Sequence, residues 1–406
     1  MVLFGGILSV KAISFLMLTV FAIAAVGYAL GRITIKGVCL GTAGVFIVAL
    51  LYGCFFYTPL AEQLKVGEAT FVSNALKIVE NMGLILFVTA VGFIAGPTFV
   101  SNFKKNFASY VVLGLVIILV GGLSAVGCIF AGRAMNLGGS HAELTAMVVG
   151  LLSGSLTSTP AFSAAKDTVA PEFENAVSVG HGIAYIFGVI GVVLFVQLMP
   201  KILHADMDQE RRLARNVDTG SKASVDPESL IKLDNFSFLP FFFAAALGIC
   251  LGSVKFGNFS LTTTGGCLLA SLVFGHFNHI GKISIMPTGH TLKVFRELGL
   301  MLFLIGAGIP GGAKFVEYFD ISYFIFGVIM TLLPMIVGYF VAKYLLKLSL
   351  LNNLGSITGG MTSTPALGTL IHVAKTEDVA NAYAATYPVA LISVVLVSQF
   401  IIILFS

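Results

Sequence analysis

The run Thr157-Ser158-Thr159-Pro160 recurs letter for letter as Thr362-Ser363-Thr364-Pro365, each copy closing a stretch of small residues inside apolar surroundings. At the same offset Gly150 and Gly154 return as Gly355 and Gly359, and Ala161 as Ala366. A second signature, Gly83-Leu84, Leu86-Phe87, Gly92, Gly96 and Phe99-Val100, comes back in the same order as Gly299-Leu300, Leu302-Phe303, Gly308, Gly312 and Phe315-Val316. The chain is therefore a duplication. Duplicated apolar segments interrupted at matching places by Gly, Ser, Thr and Pro point to a secondary transporter, with the interruptions at its binding site.

Composition fixes the solvent. Hydrophobic residues make up 57% and charged residues 10% of the 406, a balance expected of a polytopic membrane protein. The net charge of +4 comes from scattered Lys and Arg, with no basic block that could track a phosphate backbone, so no nucleic-acid partner is expected. The five cysteines stand singly in apolar segments, and neither a disulfide framework nor a metal site is expected. Residues 1–11 lack a leading basic region and read as the approach to the first span, not as a cleaved signal.

Apolar segments of spanning length fall at about 12–31, 38–56, 83–99, 108–132 and 176–200, and again at about 237–252, 261–277, 297–313, 321–342 and 379–405. Between the fourth and fifth of each set lies a shorter segment, 144–167 and 354–375, split by Thr-Ser-Thr-Pro into pieces too short to cross. The loop after the fifth span carries Lys201, Arg211, Arg212, Arg215, Lys222 and Lys232 and is expected in the cytoplasm. The end at Ser406 has no basic residue near it and is expected outside. An odd number of crossings per half follows, so each half is five transmembrane helices plus one re-entrant or broken hairpin, and both termini lie outside. With that topology only Lys11, Lys65, Lys77, Arg133, Lys166, Lys255 and Lys314 fall on the outer side among the 23 Lys and Arg. The expected fold is an all-α polytopic membrane protein of two inverted repeats: residues 1–202, a cytoplasmic linker 203–236, and residues 237–406. The two motifs then enter from opposite faces and meet near the bilayer midplane.

Irregular backbone at membrane depth is tolerated only where protein or a watery cavity satisfies it. Thr159 and Thr364 suit helix N-caps, and Pro160 and Pro365 suit the first helical position, which needs no N–H. The free amides of such a first turn, at the positive end of the helix dipole, are a site for a carboxylate. No Lys or Arg falls in the middle of an expected span, so a carboxylated substrate would be held by amides and hydroxyls. The candidate substrate-binding residues are Ser153, Gly154, Ser155, Thr157, Ser158, Thr159 and Pro160 in the first half, and Thr358, Gly359, Gly360, Thr362, Ser363, Thr364 and Pro365 in the second. A pure packing role is the alternative, and it is the reading adopted for the glycine pairs Gly27/Gly31, Gly92/Gly96, Gly248/Gly252 and Gly308/Gly312.

His181 and Tyr387 occupy equivalent places in the fifth spans and, with Tyr185 and Tyr383, are candidates for lining the cavity, with a plain packing or interfacial role as the favoured alternative. Lys166 and Lys375 read as snorkelling anchors at the hairpin mouths, and Glu80 and Glu297 as residues preceding the third spans with no part in transport. Nothing suggests an enzyme. Residues 275–282 miss the phosphate-loop spacing, and His-Glu-x-x-His is absent.

On the doubled element Gly150 to Ala161 and Gly355 to Ala366, and on the doubled Gly-Leu-x-Leu-Phe signature, the chain resembles the aspartate:alanine exchanger family of bacterial secondary transporters. The resemblance spans nearly all of both halves. It implies an inner-membrane exchanger of amino acids or dicarboxylates, a homodimer, and an elevator-like motion of the hairpin-bearing part; separately, no cofactor is expected. The chain departs from the family in the middle, where a large paired regulatory domain is common and only a short charged linker stands here. The function expected is exchange of small anionic or zwitterionic substrates such as aspartate and alanine; one-way export of a dicarboxylate such as succinate, or a passive anion channel, are the alternatives.

Overall fold

The computed structural model describes the chain except for residues 1, 4–7, 10, 36–37, 40–41, 67–68, 102–107, 215–230, 233, 235, 257–258, 261 and 377. Long runs of Leu, Val, Ala, Phe and Ile without charge leave the backbone one way to satisfy itself away from water, the helix. The first half gives α1 (Ala12–Arg32), α2 (Ala43–Gln63), α3 (Val72–Ser101), α4 (Ala108–Ala134), the split pair α5 (His141–Ser155) and α6 (Thr159–Thr168), and α7 (Glu174–Ile202). After a short α8 (Met207–Ala214), the second half gives α9 (Phe238–Gly252), α10 (Thr262–Phe277), α11 (Gly289–Ala313), α12 (Phe315–Tyr318) and α13 (Ile321–Phe340). The split pair α14 (Leu350–Gly360) and α15 (Thr364–Ala374) and then α16 (Val379–Phe405) complete it. The strands are two-residue ladders, several closing tight turns between consecutive helices, as Lys65–Val66 against Ala69–Thr70 and Lys255–Phe256 against Phe259–Ser260.

Among the described residues, seven helices are long and apolar enough to cross a membrane. The protein is a multi-pass membrane protein, and its outward faces are apolar, with Phe21, Phe55, Leu123 and Leu404 strongly exposed. Three expected spans fall outside those seven. α9 and α10 have only 15 and 16 residues, about 24 Å at most against a hydrocarbon core of about 30 Å. α11 is long enough but carries His290, Lys293, Arg296 and Glu297 in its first turns.

Two further expectations are corrected. The third helix of each half starts well before its apolar run, at Val72 and Gly289, so Glu80 and Glu297 lie within helices and do not precede them. The second span is shifted toward its C-terminal side, because Thr34–Ile35 and Val38–Cys39 pair as a tight hairpin ahead of it. The linker contains α8, whose Ala214 is buried with Leu351, Leu354, Leu370 and Ala374 of the second split pair. Of the basic residues used to orient the chain, Lys36, Lys104, Lys105, Arg215 and Lys222 lie outside the described residues.

The helices pack as two groups. α1, α2, α3, α9, α10 and α11 form one; α4 to α7 and α13 to α16 form the other. Packing in one half has its counterpart in the other: α1 on α2 as α9 on α10, α3 on α10 as α11 on α2, α5 on α7 as α14 on α16, α4 on α16 as α13 on α7, and α6 on α16 as α15 on α7. The glycine pairs make the close approaches possible. A Cβ at Gly27 would collide with the backbone of Val45, and one at the matching Gly248 with the backbone of Cys267. The main core runs through the second group, where Val148, Leu151 and Leu152 of α5 pack with Phe162, Val177, Ala184 and Met330.

Candidate functional site

The two split pairs meet at their tips. α5 ends in a Schellman turn, in which the Ser158 amide donates to Ser153 O at 2.8 Å and the Thr157 amide to Gly154 O at 2.9 Å. α14 ends the same way, with the Ser363 amide donating to Thr358 O and the Thr362 amide to Gly359 O, both at 3.0 Å. Such a turn needs a left-handed residue, normally glycine, yet Thr157 and Thr362 fill it, each at φ +50°. A β-branched residue there costs about 1–2 kcal/mol. Their hydroxyls show what offsets it. Thr157 Oγ1 donates to Met361 O at 2.9 Å, and Thr362 Oγ1 donates to Leu156 O at 2.8 Å, a reciprocal pair of bonds between the tips.

Immediately beyond each tip a helix begins. The expectation that Thr159 and Thr364 cap these helices is corrected by one residue: the N-caps are Ser158 and Ser363, in extended backbone, while Thr159 and Thr364 are the first helical residues and the prolines follow. The shift has a simple cause. The Schellman turn takes Thr157 as its left-handed residue, the next residue must be extended, and an extended residue at that point is an N-cap. The Ser158 hydroxyl accepts from the Ala161 amide at 3.3 Å. The equivalent Ser363 hydroxyl is fully buried and has no partner among the described residues. Thr159 and Pro160 are buried, whereas the side chains of Thr364 and Pro365 lie outside the described residues.

The remaining candidates surround the tips. Ser155 Oγ donates to Gly327 O of α13 at 3.0 Å, and Thr358 Oγ1 to Leu354 O of its own helix at 2.6 Å. Gly154 and Gly359 bring α5 and α14 against α7 and α16: a Cβ would come within 2.5 Å of His181 O and 2.6 Å of Tyr383 O respectively. At Gly360 a Cβ would meet Ile117 of α4. Ser153 Oγ lies 2.7 Å from Gly150 O and 2.9 Å from His181 Nδ1. His181 Nε2 is buried, with no hydrogen-bond partner among the described residues. The imidazole stacks on Phe162 at 4.1 Å, with Phe46 edge-on at 5.5 Å and Tyr185 tilted at 5.1 Å. On α16, Tyr383 and Tyr387 stack at 5.1 Å, both half-buried.

Sequence reasoning missed a charged cluster behind the first tip. Lys166 on α6 is 3% exposed, so it is no snorkelling anchor; its Nζ pairs with Glu80 of α3 at 2.8 Å, and Glu80 is 4% exposed. Lys77 of α3 pairs with Glu174 of α7 at 2.6 Å, and Lys166 lies 3.7 Å from the same carboxylate. Thr264 of α10 donates to Asp167 at 3.1 Å and touches Ser163 at 2.9 Å. The signal that could have found it is an asymmetry between the repeats: Lys166-Asp167 answers to Ile371-His372 in the second hairpin. Lys375, the other expected anchor, is exposed, at the left-handed end of α15.

Two kinds of similarity to known proteins bear on this geometry. The family model for a predicted permease membrane region, of the aspartate–alanine exchanger type, matches residues 19–201 and 240–403. Its two blocks are the two halves, and the gap falls at α8 and the linker. An uncharacterized transporter of Bacteroides fragilis is 26% identical, the alignment covering 94% of this chain and 97% of that protein. One of Desulfotalea psychrophila is 24% identical over 93% of this chain and 95% of its own length. One of Geobacter sulfurreducens reaches 35% identity over 51% of this chain and 35% of that protein. The first two alignments run over 544 and 540 positions, more than the 406 residues here, so those relatives carry stretches that this chain lacks.

Proposed function

The chain belongs to the aspartate–alanine exchanger family of membrane permeases, and from that premise we propose that it exchanges small carboxylated substrates, aspartate for alanine or related amino acids, by alternating access. The observation that carries this reading is the reciprocal bonding of the two tips. Hydroxyls at equivalent positions donate to carbonyls at equivalent positions, the pattern that two copies related by a two-fold axis produce. The matched packing of the halves supports the same relation. We read each half as crossing an odd number of times, with α9, α10 and α11 completing the second half although they fall outside the seven long apolar helices; the axis then lies in the membrane plane, the repeats are inverted, and the hairpins enter from opposite faces.

The chemistry follows from what the tips offer. Two helix N-termini, those of α6 and α15, converge there; on α6 the Ala161 amide is taken by the Ser158 hydroxyl, and the tips add the hydroxyls of Thr159 and Ser363. A carboxylate is the group such ends hold, with no cationic side chain in the tips. The group holding both hairpins moves as a unit against the group of α1–α3 and α9–α11, carrying the site between faces in the elevator manner. The protein acts in the bacterial inner membrane as a homodimer, with both termini outside and the linker in the cytoplasm. Counterflow into proteoliposomes preloaded with a panel of amino acids and dicarboxylates tests the reading. Uptake of labelled aspartate only into aspartate- or alanine-loaded vesicles supports exchange, uptake into empty vesicles supports a one-way dicarboxylate carrier, and flux without counterflow supports a channel.

A further inference from the structure

A chain of oxygens crosses between the two helix groups behind the first tip. Pro160 O in the first turn of α6 accepts from Ser163 Oγ at 3.1 Å, Ser163 Oγ lies 2.9 Å from Thr264 Oγ1 of α10, and Thr264 Oγ1 lies 3.1 Å from Asp167 Oδ2 near the end of α6. Ser163 and Thr264 are buried, and Asp167 is half-buried. The chain has three links, but its two hydroxyls bring only two protons. With Asp167 ionised, Thr264 donates to it and one contact of the chain is left without a proton. With Asp167 protonated, all three are served in one direction: the carboxyl donates to Thr264, Thr264 to Ser163, and Ser163 to the Pro160 carbonyl. A metal ion would gather these oxygens around itself, whereas they are bonded to one another.

The surrounding charges point the same way. The cluster about Asp167 holds Lys77 and Glu80 of α3, Lys166 of its own helix, Glu174 of α7 and the Cys267 thiol of α10. Of the other helices packed on α6, α5 has His141 and Glu143 in its first turn and α16 has Tyr383 and Tyr387. Asp167 makes no ion pair among the described residues. When the helix groups slide, each keeps a balanced pair: Lys77 with Glu80 at 3.8 Å on α3, and Lys166 with Glu174 at 3.7 Å in the hairpin group. Asp167 is the carboxylate left over, and sliding takes Thr264 away from it. A carboxylate with neither cation nor donor in apolar surroundings takes up a proton in preference to carrying its charge. We propose that Asp167 is a proton-binding site: the hairpin group crosses only with this carboxyl in its neutral form, whichever substrate sits at the tips. This rests on the reading that the hairpin group moves against the other. Because the same proton crosses in both directions, pH sets the rate of exchange and not its driving force, and the aspartate and alanine legs share one requirement. The matching place in the second hairpin holds the exposed His372, so the site belongs to the first.

The test is homo-exchange by the full chain in proteoliposomes with equal pH on both faces, aspartate for labelled aspartate and alanine for labelled alanine. Both rates are expected to fall as pH rises, approaching about ten-fold per pH unit on the alkaline side, since the neutral acid is the form that crosses. Asp167→Asn keeps the shape and a donor for Thr264; it should remove the fall, so that its alkaline rate exceeds that of the wild type. Thr264→Val deletes the hydroxyl that donates to the ionised form, and its fall should begin at higher pH. A pH gradient should drive no accumulation of either compound. A wild-type pH profile in Asp167→Asn, or a fall confined to aspartate, would overturn the proposal, as would accumulation driven by the gradient. A second readout is independent of transport: the infrared difference between wild type and Asp167→Asn in detergent should contain one protonated-carboxyl band that vanishes as pH rises. If neither compound is carried, the transport reading fails, while that band still decides the proton site; its absence would overturn it.

Discussion

Ser158 and Ser363 stand at equivalent places with opposite circumstances, and this makes Ser363→Ala the most informative single change. The Ser158 hydroxyl caps α6 through the Ala161 amide, so Ser158→Ala should cost about 1 kcal/mol of stability. The Ser363 hydroxyl is buried with no partner among the described residues, a condition that costs about 1–3 kcal/mol wherever it persists. Replacing it by alanine therefore leaves stability unchanged or slightly raised. Such a group is retained where something else uses it. If it is a ligand for the substrate carboxylate, its loss removes a hydrogen bond to a charged group, about 1.5–3 kcal/mol, or roughly 10- to 150-fold in affinity. The assay is paired: thermal unfolding in detergent, and half-saturation for counterflow in proteoliposomes. Ser363→Ala is expected to keep its unfolding temperature and lose affinity, while Ser158→Ala loses some of both. Unchanged half-saturation in Ser363→Ala would remove this hydroxyl from the site.

Thr157→Val and Thr362→Val keep the shape and the strained φ but delete the cross-tip bonds, each worth about 1 kcal/mol. A double-mutant cycle on unfolding temperature should show the pair coupled beyond the sum of the single changes, and strict additivity would mean the tips do not act together. Gly154→Val or Gly359→Val should abolish folded protein in detergent, because the added atoms meet backbone carbonyls of α7 and α16; a monodisperse, active variant would contradict the close packing. Single cysteines at the exposed Glu62 and at Ser406 should label from outside the cell, and one at Asp208 of the linker helix only after the membrane is opened. Labelling of Asp208 and Ser406 from the same face would undo the inverted arrangement.

Much of this architecture was legible because the helix breaks are written in residue types that have few alternatives. Gly-Ser-Leu-Thr-Ser-Thr-Pro cannot continue a helix through Thr157 to Pro160, and the return of Thr-Ser-Thr-Pro after Gly359-Gly360-Met361 located both tips. The cap was misplaced by one residue because a threonine at φ +50° is so disfavoured that sequence gives no reason to expect it; only the hydroxyl bond to the other tip explains it. The start of α3 was missed for a related reason. Lys77 and Glu80 look like the end of a loop until Lys166 and Glu174, distant in sequence, supply partners that let the helix run on through them. Long-range charge pairing leaves no local pattern, so neither the burial of Lys166 nor the boundary it bridges could be read from its neighbours.

The claim on which the rest depends is that the two tips hold the substrate in a site open to one face at a time. It is tested most directly by a single cysteine at Thr159, the first residue of α6, labelled by an impermeant reagent in sided proteoliposomes with and without aspartate. The account predicts labelling from only one face in any one conformation, slowed by saturating aspartate and unaffected by a compound that lacks a carboxylate. Equal labelling from both faces, or a rate that aspartate leaves unchanged while counterflow continues, would contradict it.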